Sequence, residues 1–425
     1  MAIFARIKKL LKSVGPGFIT GAADDDPSGV ATYSIAGAQF GYGMLWMSLF
    51  LLPAMISIQE MCGRIGMVSG RGLAGVIKKY YSKKLLWFAV SLLFVANVIN
   101  IGADLGIMAA SLQMLLGLPY YFWLVVTSAL IIWMEIAVSY KKYSKYLKWL
   151  GLSLLVYVIT AFMVKQELKE IVMSTLVPSI QFNLGYLMTL VGFLGTTISP
   201  YLFFWQASEE VEEEISDARF PISDFDQKAA VSKKRVAVMR ADTNVGMLFS
   251  NLMTFFIILT TAATLNKNGI FSINTPQEAA LALKPLAGDF AYILFAVGII
   301  GIGLQSIPVL AGSVAYAVSE ALGIKEGLSK KFGEAKGFYL VIFVATIMGM
   351  LMNMFGVNTI QALYYSAIVN GVIAVPLIFI IIKLADDERV VDGFKTKKWA
   401  KVFAWATFVF MALAVVLMVM ATLLK

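Results

Sequence analysis

The apolar residues of this chain fall into blocks of about 20 residues that recur along its whole length. A helix needs about that length to cross the roughly 30 Å hydrocarbon core of a bilayer, whereas strands of a β-barrel would show short alternating segments. Apolar residues make up 59% of the chain and charged residues 14%, which leaves too little polar surface for a soluble protein of this size. The sequence therefore predicts an all-α membrane protein.

We predict eleven transmembrane helices within a single transmembrane transporter domain, residues 1–425. Their bounds are 14–41, 44–67, 85–116, 120–140, 148–165, 184–208, 239–265, 289–321, 337–354, 359–384 and 398–424. The polar connection at about 209–238 opens with a run of glutamates and ends with basic residues. Such a charge pattern favours a solvated cytoplasmic helix and loop over an ion-collecting segment.

Basic residues indicate the orientation of these helices in the membrane. If there are eleven spans, most basic clusters lie on the same side of the membrane. They are Arg6, Lys8, Lys9, Lys12, Lys78, Lys79, Lys83, Lys84, Lys141, Lys142, Lys145, Lys148, Lys233, Lys234, Arg235, Lys330, Lys331, Lys397 and Lys398. The other side holds five of the 35 basic residues: Lys165, Lys169, Lys267, Lys284 and Lys425. The positive-inside rule then places the N-terminus in the cytoplasm and the C-terminus outside a bacterial-type cell (inner) membrane. This distribution, rather than nucleic-acid binding, explains the net charge of +9.

The chain has one cysteine, Cys62, and no histidine. These counts exclude a disulfide framework and a cysteine metal cluster, and they remove the commonest zinc ligand and proton shuttle. We find no nucleophile–base pair that an integral membrane enzyme would need. We therefore expect no enzymatic activity, no bound cofactor and no obligate protein partner.

The first predicted span is interrupted in its middle by Asp24, Asp25 and Asp26, followed by Pro27 and Gly29. Proline and glycine disfavour a continuous helix, and charges at the centre of a span usually mark a pathway. Backbone that leaves the helix at this depth survives only where it is buried or lines a cavity. In the alternative, the aspartates form an exterior loop, but residues 30–43 alone are too short and too rich in glycine to span.

The sixth predicted span is interrupted by Gly195, Thr196, Thr197, Ser199 and Pro200. Taken alone, this segment is compatible with an ordinary proline kink whose hydroxyls bond the preceding turn. The first and sixth spans are, however, corresponding members of two five-helix halves. Paired interruptions of this kind indicate a binding site near the bilayer midplane.

Other polar residues inside the predicted spans leave two interpretations open. Asn97, Asn100 and Asp104 share one face of the third span, where they either pack through hydrogen bonds or line an ion path. The same alternatives apply to Gln59, Glu60, Glu135, Gln305 and Asn370.

Three motifs make the chain resemble the Nramp family of divalent metal transporters. They are GPGF followed by an Asp-Pro pair at Asp26 and Pro27, a Gly-Thr-Thr-x-x-Pro break at 195–200, and LGLP after the third span. The resemblance implies a LeuT-type inverted repeat of 5+5 helices, with residues 14–165 and 184–384 as repeats and 398–424 as an extra helix. The first and sixth helices of that fold are broken.

The resemblance also implies a metal site, carried over position by position. The family's metal-binding aspartate falls on Asp26, its asparagine on Gly29, and its alanine, which offers a carbonyl, on Thr196. Its thioether methionine falls on Ser199 and its histidine on Tyr201. Without the thioether the expected ligands are all oxygens, which suits magnesium and loses the preference for softer metals.

We therefore predict a transporter that imports Mg²⁺, and tolerates Mn²⁺, by alternating access across the lipid bilayer. One acid of the family's third-span pair is replaced by Ile101 and the other is Asp104, so we expect weak or absent proton coupling. Residues expected to line the path are Asp24, Asp25, Asn100, Asp104, Tyr201, Gln305 and Asn370. The alternatives are a proton-coupled Mn²⁺/Fe²⁺ transporter, a carrier of hard trivalent ions such as aluminium, a sodium-coupled carrier of organic solutes, and a structural or sensor subunit.

Overall fold

The computed structural model describes residues 15–138, 151–216, 224–227 and 231–424, and the described residues form helices and no strand. The predicted basic clusters at 6–12 and 141–148, Lys425, and the first residues of the first and fifth predicted spans lie outside the described residues. The α-helices are α1 Pro16–Asp24, α2 Pro27–Phe40, α3 Leu45–Ser69, α4 Leu73–Tyr80, α5 Lys83–Leu116, α6 Tyr120–Ala137, α7 Leu155–Met163, α8 Leu168–Leu176, α9 Leu184–Thr197, α10 Pro200–Ser216, α11 Lys233–Thr264, α12 Pro276–Ala280, α13 Lys284–Ala287, α14 Ala291–Leu322, α15 Lys336–Met352, α16 Thr359–Asp386, α17 Glu388–Val391 and α18 Lys398–Leu423.

Short 3₁₀ turns connect several of these helices. They are Gly41–Met44, Gly151–Leu154, Asn266–Asn268, Leu281–Leu283, Gly288–Phe290 and Asn353–Phe355. The first joins α2 to α3, and the second leads into α7, so these turns keep successive helices close together.

Among the described residues, nine helical stretches are long and apolar enough to cross a membrane. Large apolar side chains on their outer faces stay exposed, such as Val125 and Trp133 on α6 and Val402 on α18, as a lipid-facing surface requires. The chain is therefore a multi-span membrane protein. The count of eleven spans stays a prediction, because the fifth appears only as the nine-residue helix α7.

Both predicted interruptions occur as true breaks between helices. Between α1 and α2, Asp25 leaves the helical conformation and Asp26 is extended, with φ of −71° and ψ of 172°. Pro27 then occupies the first turn of α2, where its missing N–H costs nothing. Between α9 and α10, Ile198 leaves the helix before Pro200 begins the next one.

Close backbone contacts hold the broken helices against their neighbours. A β-carbon at Gly21 of α1 would lie 2.2 Å from the backbone of Gly246 on α11. A β-carbon at Gly195 of α9 would lie 2.1 Å from the backbone of Gly371 on α16. Only glycine permits these approaches, so each half of the break region is packed tightly onto another long helix.

The prediction of a solvated helix and loop at about 209–238 is wrong for the run of glutamates at its start, whereas Ser232, Lys233 and Lys234 near its end are exposed. The sixth span continues as α10 to Ser216. Glu209, Glu210, Glu212 and Glu214 are between 1% and 6% exposed. The reason is tertiary: their carboxylates accept hydrogen bonds from neighbouring side chains, which charge patterning along the chain does not reveal.

Candidate functional site

Asp26 is the N-cap of α2, and hydrogen bonds fix both of its carboxylate oxygens. Oδ1 accepts from the Ser28 hydroxyl and from the Gly29 backbone N–H, each at 2.7 Å. Oδ2 accepts from the Asn100 side-chain amide at 2.7 Å. Each carboxylate oxygen accepts about two bonds, so Oδ2 keeps a free acceptor position. The residue is 1% exposed.

Polar residues on α5 lie next to the Asp26 carboxylate, and one of them donates a hydrogen bond to it. Asn100 accepts a hydrogen bond from Ser366 of α16 at 2.9 Å through its Oδ1 atom, which fixes the amide so that its nitrogen points to Asp26. One turn further along α5, Asp104 accepts a hydrogen bond from Ser306 of α14 at 3.2 Å. Both residues are fully buried, so the third span lines the site.

The second break presents hydroxyls and a carbonyl. The Ser199 hydroxyl donates to the carbonyl oxygens of Thr196 at 2.7 Å and Gly195 at 2.9 Å, so its proton faces its own chain. The Thr196 hydroxyl is buried and has no hydrogen-bond partner. Buried hydroxyls are normally paired, so this oxygen is available to a bound group.

Three contacts bring the two breaks together. A β-carbon on Gly29 would lie 3.0 Å from the Thr196 hydroxyl oxygen. The Tyr33 and Thr197 hydroxyls are hydrogen-bonded at 3.0 Å, and the Tyr201 hydroxyl donates to the Ala23 carbonyl at 2.8 Å. The missing side chain at Gly29 thus lets the two breaks pack closely beside Asp26.

The arrangement offers one carboxylate and several neutral oxygens. Among the described residues, no group of three or more His, Cys, Asp and Glu side chains is arranged as metal ligands. Asp26, Thr196 and Ser199 are each 1% exposed, so neither side of the membrane reaches them in this conformation. Carboxylate and neutral oxygens of this kind are the ligands that a hard cation prefers.

The remaining predicted path residues are buried, but they do not all face Asp26. Asp24 and Asp25 contact Ser250 of α11. Gln305 and Asn370 lie in α14 and α16, where Gln305 Oε1 and both polar side-chain atoms of Asn370 have no hydrogen-bond partner. Their unpaired atoms are compatible with a polar path.

The sequence analysis missed four serines: Ser28, Ser250 and Ser306 donate to these acids, and Ser366 donates to Asn100. A local signal existed for Ser28, since Asp-Pro-Ser-Gly carries the N-cap and first-turn proline of a helix start. The other three are single hydroxyls within long apolar helices, and local sequence does not reveal which side chain they contact.

Comparison with known families gives one match across nearly the whole chain. The family model described as natural resistance-associated macrophage protein-like, abbreviated Nramp, matches residues 17–421. Among curated relatives, the divalent metal cation transporter MntH of Deinococcus radiodurans is 27% identical over 322 residues, which are 72% of this chain and 69% of that protein. MntH of Listeria monocytogenes is 24% identical over 429 residues, 98% and 91% of the two chains.

Solved structures show the same fold. The Eremococcus coleocola manganese transporter aligns with a TM-score of 0.74 at 18% identity, covering 96% of this chain and 86% of that one. Mhp1, a nucleobase-cation-symport-1 family transporter, aligns with a TM-score of 0.59 at 13% identity, covering 97% and 90%. At these identities the similarity concerns architecture, and it confirms the predicted all-α membrane fold of LeuT type.

Proposed function

Since the chain belongs to the Nramp family, as its motifs predicted, we propose that it transports divalent metal cations and prefers Mg²⁺, with Mn²⁺ accepted. The bound ion would contact Asp26, the Thr196 hydroxyl or carbonyl, Ser199 and the backbone near Gly29. The names of its relatives specify divalent metals or manganese. The magnesium preference rests on the residues of this chain.

One observation carries the proposal: the buried Asp26 carboxylate is hydrogen-bonded by neutral groups, and the Thr196 hydroxyl in the second break has no hydrogen-bond partner. Magnesium prefers oxygen ligands, so a site of carboxylate and hydroxyl oxygens without a soft ligand suits it. A soft thioether ligand, which favours transition metals, is replaced by the Ser199 hydroxyl. Manganese also accepts oxygen ligands and is therefore tolerated.

The proposed mechanism is alternating access about the two breaks. α1 and α10 are the half-helices on one side of the breaks, and α2 and α9 are those on the other. Movement of α1 away from α11 would open the site to one side, and rearrangement around α2 and α9 would open it to the other. A membrane potential of 100 mV would supply about 4.6 kcal/mol for each divalent ion, twice the single-charge value.

We also propose that proton coupling is weak. The position of the family's histidine holds Tyr201, whose hydroxyl donates to the Ala23 carbonyl. Of the third-span pair only Asp104 remains, bonded to Ser306. In the part of the chain that the structure describes, the hydrogen bonds of Tyr201 and Asp104 lead to Ala23 and Ser306 and not to Asp26. A strongly coupled Mn²⁺/Fe²⁺ transporter is the competing function, and Asp104 is the residue it would use.

The proposed orientation places the N-terminus in the cytoplasm of a bacterial-type cell and the C-terminus outside. It follows from the basic residues that flank the predicted spans and from the positive-inside rule. In this orientation α1 and α10 lie in the cytoplasmic half of the membrane. A reporter protein that is active on only one side, fused to the C-terminus, tests it.

Uptake into proteoliposomes tests the transport proposal. Wild-type protein and Asp26→Asn, which keeps the shape of the side chain, are compared for Mg²⁺ and Mn²⁺ entry under an inside-negative potential. We expect the variant to lose at least 100-fold of the Mg²⁺ rate and the wild type not to acidify the lumen. Equal rates for both proteins, or Mn²⁺ entry in step with protons but without Mg²⁺ entry, would contradict the proposal.

A further inference from the structure

Asp24 and Asp25 form a second pair of buried acids that the Asp26 site does not use. Asp24 is the last residue of α1, and Asp25 follows it in the break. They are 0% and 1% exposed, respectively. The pair lies on the α1 side of Asp26, towards α11.

A single hydroxyl serves both carboxylates. Ser250 Oγ on α11 lies 2.5 Å from Asp24 Oδ2 and 3.4 Å from Asp25 Oδ1. Because a serine has one proton to donate, it satisfies one of these oxygens well and the other weakly. The remaining oxygens, Asp24 Oδ1 and Asp25 Oδ2, have no hydrogen-bond partner.

A further unpaired oxygen lies on the same face of α11. Thr254 follows Ser250 by four residues and therefore points to the same side of the helix. It is 0% exposed, and its hydroxyl has no hydrogen-bond partner. Two buried carboxylate oxygens beside Ser250 and a hydroxyl one turn further along the same face of α11 are thus unpaired.

No positive charge compensates the pair. Among the described residues, no lysine or arginine forms an ion pair with Asp24 or Asp25, and Arg240 on α11 pairs with Glu60 instead. Taking a carboxylate out of water without a counter-charge is strongly unfavourable. An arrangement of two acids and hydroxyl oxygens is, in contrast, the ligand set of a hard divalent cation.

We propose that Asp24, Asp25, Ser250 and Thr254 form a second subsite for a hard divalent cation. The inference rests on the proposed transport function, because it places this subsite next to Asp26 on the path towards α1. An ion leaving Asp26 passes to the pair before α1 opens. The two acids balance its charge, so it does not have to enter apolar surroundings at the moment of release.

Binding to a protein without its main site tests the subsite directly. Asp26→Asn in lipid nanodiscs is titrated with Mn²⁺, and free Mn²⁺ is followed by electron paramagnetic resonance. We expect one Mn²⁺ to bind about tenfold more weakly than to wild type. Adding Asp24→Asn and Asp25→Asn should abolish the remaining binding. Identical titrations of the single and triple variants, or the absence of binding to Asp26→Asn, would overturn the inference.

Two milder variants keep the test informative if the triple variant does not fold. In the Asp26→Asn protein, Ser250→Ala and Thr254→Val should each weaken Mn²⁺ binding by about threefold or more. Thr264→Val is the matched control on α11, because the Thr264 hydroxyl already donates to the Thr260 carbonyl at 2.7 Å. Loss of binding in the control alone would count against the assignment.

Transport separates this inference from the proposed function. With Asp26 intact, Asp24→Asn with Asp25→Asn should lower the maximal Mg²⁺ uptake at least tenfold and change KM by less than threefold, since external binding remains. An equal effect on both parameters would contradict a role after Asp26. If wild type took up no Mg²⁺ while Asp26→Asn still bound Mn²⁺, the transport proposal would fall and the subsite would stand.

Discussion

The Asp242 carboxylate caps the amino end of α1 from a different helix, with its Oδ2 atom 2.8 Å from the backbone nitrogen of Gly17. The same side chain accepts from the N–H of Gly15 at 3.0 Å and of Phe18 at 3.3 Å. A carboxylate at this position satisfies N–H groups that have no partner within the helix and complements the helix dipole. Asp242 therefore ties α1 to α11 at the end that would move in the proposed mechanism.

We expect Asp242→Ala to favour detachment of α1. Losing a cap costs about 1–2 kcal/mol, which changes a population by about five- to thirtyfold. With Cys62→Ser as background, the labelling rate of Ala22→Cys by a maleimide measures how often α1 separates from α11. The rate should rise by about that factor. Asp242→Asn, which keeps one acceptor oxygen, should give a smaller rise. Equal rates in all three proteins would show that the cap does not hold α1.

Gly29 and Thr196 form a packed pair across the two breaks, which predicts the effect of restoring the family's asparagine. A β-carbon at Gly29 would lie 3.0 Å from the Thr196 hydroxyl and 3.3 Å from the Tyr33 ring. Gly29→Asn should therefore cost about 1–3 kcal/mol in packing and lower Mg²⁺ uptake. Adding Thr196→Ala removes the hydroxyl and should restore most of the stability. Unfolding temperature and uptake are measured on both variants, and a double variant no better than Gly29→Asn would contradict the pairing.

Local sequence predicts the breaks because their cause is local. Pro27 and Pro200 cannot continue a helix, and Asp26 before a proline is a strong N-cap signal. The positions of both interruptions and the all-α membrane class therefore follow from residue types and spacing. The same reasoning assigns Asp26 to a buried break without any knowledge of its partners.

Local sequence patterns do not predict which residues form hydrogen bonds across the fold. The bond from Asn100 to Asp26 joins residues 74 positions apart, and the bond from Ser250 to Asp24 joins residues 226 apart. The glutamates of α10 are a second case in which the sequence does not predict a tertiary contact. Their charge suggested solvent, but Tyr316 donates to Glu212 at 2.9 Å within a buried contact.

Glu326, in the loop that follows α14, predicts a dependence of stability on pH. Burial raises the pKa of its carboxyl well above the usual range, and the nearby carboxylates of Glu320 and Glu212 raise it further. Lys330 opposes this shift and Asp224 adds to it. The folded protein therefore holds this proton more tightly than the unfolded chain. The stability it supports is full below about pH 4.3, the unfolded pKa, and is lost as pH rises through the folded pKa.

Replacing the Glu326 carboxyl with an amide should remove this dependence of stability on pH. At pH 8, Glu326→Gln should unfold about 1–4 °C above wild type, the shift that corresponds to roughly 1 kcal/mol, and the difference should shrink as pH falls to 5. Glu388→Gln is the control, because Glu388 lies on the exposed pair with Lys395. A Glu326 variant that gains nothing at pH 8 would contradict the assigned role of burial.

Ser199 offers the sharpest test of ion choice, because its position is where the family carries a thioether. The Ser199 hydroxyl bonds only carbonyls of the preceding turn, so its loss leaves no other side chain unpaired. Ser199→Met would place a soft sulfur beside Asp26 and favour Cd²⁺ and Mn²⁺ over Mg²⁺. We expect the ratio of Cd²⁺ to Mg²⁺ uptake to rise at least tenfold in proteoliposomes. Ser199→Leu has similar bulk without sulfur and should lower uptake of both ions equally. If leucine shifted the ratio as much as methionine, cavity size rather than ligand chemistry would set the preference.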